Sequence, residues 1–351
     1  MKAVYRYGFG PMEAELREVP EPVCGESDVL IAVRAAGICG SDVGSYYNGG
    51  SGGLGGLGHE FAGDVVQVGK NVTDWKPGDR VVSDNTGHVC GKCHACTSGL
   101  FLNCVERIGI GYGMDGGFAK YVKIPGEILA IHKWALMRIP EGVPYAHAAI
   151  LDPICNAYKA VAQESGLLPG ENAIVFGPGP IGLLATQICR LMGAKNIILS
   201  GLAADKEARA EVAVQMGATV FVASDTEDLH STVLRFCGAE GADCAIDCSG
   251  APSVLRQAID NVRKDGTIVK LGATSMPLNF SLSDLTYRSQ TLKGHHAYDV
   301  TSWRNCLGLL EKSMLTLDPL ITHTLPLEAW EQGMELMRTR KGIKVILDPN
   351  L

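Results

Sequence analysis

Ala173-Ile-Val-Phe-Gly177-Pro-Gly179-Pro180-Ile181-Gly182-Leu-Leu-Ala is an apolar run that breaks into a glycine-rich turn and resumes as an apolar, helix-compatible stretch. A Gly-x-Gly-x-x-Gly turn means little as letters, but between a strand and a helix each glycine has a physical task. Gly177 permits the tight turn, Gly179 lets the backbone approach a pyrophosphate, and Gly182 lets helix and strand pack closely. Amides at the start of the helix, around Pro180 and Ile181, then face the phosphates. Outward from this point the same alternation continues, with strand-like runs Asn196-Ile-Ile-Leu-Ser200, Val220-Phe-Val222, Cys244-Ala-Ile-Asp247 and Thr267-Ile-Val-Lys-Leu271 and helical stretches at 181–192 and 205–216. Strand–helix alternation at this spacing predicts an α/β fold with a doubly wound parallel sheet.

A carboxylate is expected at the end of the second strand to hold the adenine ribose hydroxyls. Gly201 occupies that place. Asp205 follows four residues later and can reach back to the ribose or serve the start of the next helix. Lys206 and Arg209 are suited instead to a 2′-phosphate, so the sequence leaves NAD and NADP both open.

Residues 1 to about 150 have a different texture. Short β-type runs, Val29–Arg34, Phe61–Val68, Arg80–Val82 and Phe118–Ile124, are punctuated by Gly and Pro, which predicts a bent β-rich domain. The tail from about Tyr298 is mixed, with helices expected around Trp303–Lys312 and Leu327–Arg338 and a last strand Lys344–Leu347. The stretch Gly49–Gly56 is expected to be a flexible loop. The chain has 351 residues, 46 % hydrophobic and 20 % charged, which suits about two globular domains. With 31 Lys+Arg against 38 Asp+Glu and no basic block, the composition argues against nucleic acid as the main partner. No stretch approaches a membrane helix and the N-terminus lacks a signal-peptide core, so the protein reads as cytoplasmic. Twelve cysteines in such a chain point to metal rather than to disulfides.

Cys90-Gly-Lys-Cys93-His-Ala-Cys96 followed by Cys104 places four thiolates close enough to surround one tetrahedral ion, the closed shell of a structural zinc. The lobe is expected over about 88–106. A second set, Cys39, His59 and Asp152, has the mixed donors of an open catalytic zinc, although its spacing alone is uninformative.

Gly37-Ile-Cys39-Gly-Ser41-Asp42, Gly58-His59-Glu60, Lys76-Pro-Gly-Asp-Arg80-Val, the four-cysteine lobe, Gly116-Gly-Phe-Ala-Lys-Tyr121-Val and the glycine-rich turn occur in one order along the whole chain. In that order they resemble the zinc-dependent medium-chain dehydrogenase/reductase superfamily, most closely its threonine and polyol (sorbitol-type) dehydrogenases. Asp152-Pro-Ile-Cys-Asn156, Ser249-Gly-Ala-Pro252 and Pro319–His323 with Gly342–Leu347 resemble the threonine branch. The resemblance implies a GroES-like catalytic domain from 1–153 and 296–351, a Rossmann domain over 154–295, and an active site in the cleft. It implies two zinc ions per subunit. Cys39, His59 and Asp152 would hold the catalytic one, with Glu60 as a ligand that exchanges with water. Ser41 would hydrogen-bond the reacting alcohol, and Asp42, held by Lys344, would orient the ligands. Ser249 and Gly272 join Gly177, Gly179, Gly182, Asp205 and Arg209 at the coenzyme, and His295, His296 and Tyr298 fall where polyol dehydrogenases contact substrate. The family's tendency implies a homo-oligomer, dimer or tetramer.

This sequence departs from the pattern at Gly44, where many relatives carry a relay histidine, and at Gly201. His88 resembles in position a histidine of threonine dehydrogenases, shifted by one residue. The implied activity is reversible NAD(P)-linked oxidation of a secondary alcohol: a polyol, cyclitol, sugar phosphate or threonine-like hydroxy amino acid. A phosphorylated substrate predicts a basic cluster, for which Arg288 is the sequence's candidate. The competing readings are a zinc- and nucleotide-binding sensor without turnover and a zinc-independent quinone or enoyl reductase. Retention of Cys39, His59, Asp152 and Ser41 together weighs against both.

Overall fold

The register of three strands decides where the metal chemistry sits. In the computed structural model, which describes residues 1–50 and 53–351, Val29–Gly37 pairs antiparallel with Glu60–Val68 and with Lys344–Asp348. Gly37 stands opposite Glu60 in one ladder and opposite Ile346 in the other. Cys39 lies two residues beyond Gly37, His59 one before Glu60 and Lys344 two before Ile346, so all four converge at one end of one sheet.

The chain divides into two compact units, Met1–Asp152 with Tyr298–Leu351, and Pro153–Ala297. The first is β-rich. Its main sheet runs Leu136–Arg138, Arg80–Ser83, Glu60–Val68, Val29–Gly37, Lys344–Asp348, Ile321–Pro326, with Tyr121–Ile124 also on Val29–Gly37. Val29, Ile31, Val33, Phe61, Val81, Phe118, Val122 and Val345 form its core. Helices Gly40–Asn48 and Trp330–Arg338 meet through an edge-on contact of Tyr46 with Trp330, ring centroids 5.0 Å apart. A small three-stranded sheet pairs Lys2–Arg6 with Ala14–Glu18 and with Gly55–Gly56. Of the loop expected at Gly49–Gly56, Ser51 and Gly52 lie outside the described residues.

The second unit is a six-stranded, wholly parallel sheet. Its order is Val220–Ala223, Asn196–Gly201, Asn172–Phe176, Ala242–Asp247, Val262–Lys270, Thr291–Gly294. Strand order therefore reverses at Asn172–Phe176, the first strand, and the crevice beyond the carboxyl end of such a switch point is where open α/β sheets take ligands. The glycine-rich turn begins at the next residue. Helices Pro180–Leu191 and Ala203–Met216 sit where periodicity predicts them, the second starting two residues early. The π-helical turn Lys159–Glu164 had no sequence signal. No helix among the described residues is long and apolar enough to cross a membrane.

Candidate functional site

At the end of the main sheet, donor atoms of Cys39, His59 and Glu60 lie within 4.8 Å of one another. The set mixes sulfur, imidazole nitrogen and carboxylate oxygen, which suits zinc. Glu60 is 1 % exposed, and its Oε1 has no hydrogen-bond partner, as a buried oxygen kept for a cation requires. Asp42 steadies two of the three. Its Oδ2 accepts from the Cys39 amide at 2.9 Å and its Oδ1 lies 3.4 Å from His59 Nδ1. Burial opposes the imidazolium, but Asp42 and Cys39 favour it, and the His59 pKa is raised.

Lys344 corrects an expectation: it pairs with Glu60, not Asp42. Its Nζ lies 2.5 Å from Glu60 Oε2 and donates to the Ile38 carbonyl at 2.9 Å. Gly37 is the reason, because a Cβ there would run into the Glu60 carboxylate and come within 3.1 Å of the Lys344 stem. Asp152, expected as third ligand, lies outside the cluster of three. Its Oδ2 accepts from Asn85 Nδ2 at 2.9 Å, and the Tyr298 hydroxyl also donates to its carboxylate. Burial is the main cause that pushes its pKa up to about 6. Tyr298, expected to touch substrate, is instead buried, takes the Asn85 amide at 3.3 Å and packs edge-on against Trp303. His295 likewise has internal partners, Glu164 at 2.6 Å and Asn156 at 3.3 Å, and the His296 carbonyl accepts from Lys159 at 3.1 Å. His88 pairs at the surface with Glu127 at 2.8 Å. Arg288 donates to the Val262 carbonyl at 2.7 Å, in the second unit.

Ser41 is exposed, and its Oγ lies 2.6 Å from the Tyr112 hydroxyl, which lies 3.4 Å from His59 Nε2. The Tyr112 ring also packs on His59 at 4.6 Å. Burial, the largest influence, raises the Tyr112 pKa, so the phenol stays protonated at neutral pH. Sequence reasoning missed both Tyr112 and Asn85. They lie in loops without periodicity, and the aromatic in Gly111-Tyr112-Gly113 is the one signal that could have pointed to Tyr112.

The cysteine lobe can be tested by geometry. Four thiolates about 2.3 Å from a tetrahedral zinc have S···S edges of about 3.8 Å. The observed separations are 3.6 Å for Cys93–Cys96, 3.6 Å for Cys104–Cys90 and 4.0 Å for Cys90–Cys96. Amides of Cys93 and Cys90 point at the sulfurs of Cys90 and Cys104, at 3.4 and 3.3 Å, and no pair is a disulfide. Hydrogen bonding, first from the Cys96 backbone, lowers the Cys93 pKa, whereas burial raises that of Cys96.

In the second unit Gly177 adopts φ +91°, and a Cβ on Gly182 would strike the Gly177 carbonyl, so both glycines are required by the turn. Gly179 caps the helix Pro180–Leu191 without a side-chain hydrogen bond, and a Cβ there would meet open space, which fits a phosphate at this helix start. Asp247, fully buried and 3.0 Å from Lys270 Nζ, accepts from the amides of Ser249 and Gly250 and from Ser249 Oγ. Ser249 is thereby committed to shaping the loop beside Gly177. The tight seat of Gly272 against Gly250 belongs to the same crossing. Asp205 accepts from the Leu202 amide at 3.0 Å and pairs with Arg209 at 3.7 Å, so it serves the helix start. Arg209 in turn donates to the Pro178 carbonyl at 3.2 Å, tying the helix to the glycine-rich turn. No acid fits at Gly201, since a Cβ would lie 2.8 Å from both the Phe221 ring and the Pro178 ring.

Comparison with known proteins agrees with this geometry. The family model described as "Alcohol dehydrogenase GroES-like domain" matches residues 25–133, and that described as "Zinc-binding dehydrogenase" matches 180–312. The chain is 46 % identical over 353 residues to the zinc-type alcohol dehydrogenase-like protein YdjL of Escherichia coli (strain K12), covering 99 % of this chain and 98 % of that one. It is 36 % identical to an L-threonine 3-dehydrogenase of Bacillus licheniformis and 33 % identical to a sorbitol dehydrogenase of Halalkalibacterium halodurans, covering 99 % of each chain in both cases. The crystal structure of 2R,3R-butanediol dehydrogenase from Bacillus subtilis superposes with a TM-score of 0.87 at 28 % identity, again over 99 % of both chains. This chain, with its GroES-like and Rossmann domains, belongs to the zinc-type alcohol dehydrogenase family of oxidoreductases.

Proposed function

We propose that the protein interconverts a small, polar secondary alcohol and its ketone with NAD or NADP. The observation that carries this reading is the grouping of Cys39, His59 and Glu60 at the end of the main sheet. Asp152, which Asn85 and Tyr298 hold close to that group, completes the proposed ligand set. When bound, zinc supplies Lewis acidity to the alcohol oxygen and the nicotinamide accepts the hydride. The chain's own share is positional and protonic. Asp42 fixes the His59 ring and the Cys39 backbone, while Lys344 compensates Glu60. Ser41 Oγ takes the alcohol proton, and with Tyr112 as its hydrogen-bond partner and solvent at its exposed side, the proton leaves without a histidine at position 44. A Cβ at Gly44 would meet nothing within 4 Å, so water has room there. The four-cysteine lobe holds a second, structural zinc.

Relatives named for sorbitol, L-threonine and butanediol share one chemical feature, a secondary hydroxyl next to a carbon bearing a second polar group. The substrate proposed here has that feature. We also propose a cytoplasmic homo-oligomer, dimer or tetramer; the short edge strand Thr291–Gly294, which ends the second unit's sheet, is a suitable pairing edge. The test is initial-rate reduction of NAD and NADP with sorbitol, 2,3-butanediol, galactitol 1-phosphate, myo-inositol and L-threonine, on protein carrying two zinc ions. Turnover of at least one, lost in Cys39→Ala with the loss of one zinc, is the expected result. Full activity of Cys39→Ala without that zinc would overturn the assignment.

A further inference from the structure

Arg6 lies two residues after buried Val4 on the inward face of the strand Lys2–Arg6 and is 4 % exposed. Its Nε donates to the Gly8 carbonyl at 2.8 Å, one terminal nitrogen to Ser45 Oγ, and the other to the Gly50 carbonyl at 3.0 Å. The Phe9 ring lies 5.7 Å from the guanidinium carbon. All three hydrogen-bond partners are neutral, and a guanidinium has five N–H donors. Among the described residues no carboxylate lies within ion-pair distance of Arg6, and neither Ser51 nor Gly52 carries one. Buried charge is normally paired, because an unpaired ion is strongly disfavoured away from water. Arg6 therefore has no direct ion pair among the described residues, and these three bonds leave two of its five N–H donors over.

The surroundings of Arg6 bear on which group could reach those donors. Arg6 lines a narrow cavity of about 20 Å³ with Glu13, Asp42, Ser45, Leu57 and Tyr112. That volume admits one water-sized group, the size of an oxygen of a carboxylate or phosphate. Tyr112 is the residue bonded to Ser41 and packed on His59, so the cavity shares a wall with the alcohol site. The two acids of the cavity already have partners: Asp42 holds Cys39 and His59, and Glu13 accepts from the Gly10 amide at 2.6 Å. We propose that Arg6 recognises a carboxylate or phosphate on the substrate, so that the alcohol oxidised is an anionic one, a hydroxy acid or a polyol phosphate, in preference to a neutral polyol. Guanidinium is the side chain best matched to either oxyanion. The proposal rests on the alcohol dehydrogenase reading above.

The experiment compares matched pairs, L-threitol with L-threonate and galactitol with galactitol 1-phosphate, in wild type, Arg6→Gln and Arg6→Lys, and in parallel records melting temperature against added inorganic phosphate and acetate. Wild type should prefer an anionic member, the phosphate or the carboxylate pair showing which anion fits. Arg6→Gln should reduce that preference by roughly 10- to 100-fold through KM, the loss of a charge-assisted hydrogen bond, and Arg6→Lys should restore part of it. Phosphate or acetate should raise the melting temperature of wild type and not of Arg6→Gln. Equal use of neutral and anionic members by wild type, or an unchanged preference in Arg6→Gln, overturns the proposal. If Arg6→Gln does not fold, the wild-type preference and the Arg6→Lys profile decide. If no alcohol is oxidised at all, the anion-dependent melting shift still reads the Arg6 site, so failure of the dehydrogenase reading is told apart from failure of this one.

Discussion

Replacing Lys344 by methionine isolates the electrostatics of the metal end of the sheet. Methionine keeps the unbranched stem and much of the volume, so the packing change is small. What is lost is the charge 2.5 Å from Glu60 Oε2 and the donor 2.9 Å from the Ile38 carbonyl. Lys344 is 2 % exposed and Glu60 1 %, so water cannot take over either role. Breaking a buried pair by removing one partner costs about 3–5 kcal/mol, because the remaining charge is uncompensated. Glu60 and Cys39 together overcome burial and raise the Lys344 pKa, so its cation is present throughout the neutral range. At about 2–4 °C per kcal/mol for a domain of this size, metal-free Lys344→Met should melt roughly 6–20 °C below metal-free wild type. Zinc beside Glu60 replaces the lost cation, so the gap should shrink by half or more in the zinc-loaded protein. The double variant Lys344→Met/Glu60→Gln should recover most of the loss, since the carboxylate that Lys344 compensated is then gone. Calorimetry of chelator-treated and zinc-reconstituted samples reads all three proteins in both metal states. A metal-free shift below about 2 °C, or a double variant no more stable than the single one, would refute the pairing as a source of stability.

Asp152→Asn should stabilise the metal-free chain while weakening binding of one zinc. The folded-state pKa of Asp152 is raised from 3.8 to about 6, so in the absence of metal the native state binds the extra proton and loses stability as pH rises through that window. The difference between variant and wild type should therefore grow from pH 4 to pH 6 in calorimetry, and a flat difference counts against it. Cys96→Ser should lower the zinc content from two ions to one and reduce the melting temperature; unchanged metal analysis would remove the lobe from the list of zinc sites. Gly201→Asp should not create NAD preference. Its Cβ meets Phe221 and Pro178 at 2.8 Å, so fluorescence titration should show weaker binding of NADH and NADPH alike, and a selective gain for NADH would show that the strand end has room after all.

Legibility in the sequence followed the distance over which residues are brought together. The cysteine lobe closes within one short segment, so spacing alone is enough to expect the four sulfurs together, as they are found. The glycine-rich turn was equally plain because its strand and helix flank it directly. Cys39, His59 and Lys344 meet only through strand register, and no spacing rule spans that separation; there the resemblance carried the reading. It also assigned Lys344 to the wrong carboxylate. Which acid receives the ammonium depends on Gly37 facing Glu60 across the ladder without a side chain, a detail visible only once the strands are paired. Arg6 did leave a signal. In Lys2-Ala-Val-Tyr-Arg6 the arginine shares a face with Val4 by the two-residue period of a strand, so an inward Val4 implies an inward cation.

The same contrast separates chemistry from specificity in the first unit. Cys39, His59, Glu60 and Lys344 sit at or just beyond strand ends, and their mutual distances are inherited from backbone ladders that buried Ile31, Phe61 and Val345 hold in place. A side chain added at Gly37 displaces this set, so the metal end tolerates little change. Arg6, Ser45 and Tyr112 are placed differently. They belong to a two-ladder edge sheet, a helix flank and a loop; Arg6 bonds the carbonyls of Gly8 and Gly50 and the Ser45 hydroxyl, while Tyr112 bonds Ser41 and packs on His59. Substitution of Arg6, whose hydrogen bonds among the described residues run to Gly8, Ser45 and Gly50, alters which alcohol is recognised and leaves the metal donors in place, the division expected when a rigid scaffold carries the reaction and loops carry selection. Relatives at 33–36 % identity named for such different alcohols as sorbitol and L-threonine are what that division predicts. It also locates where this chain's own selectivity must be sought: in the cation of Arg6 and the residues that share its cavity.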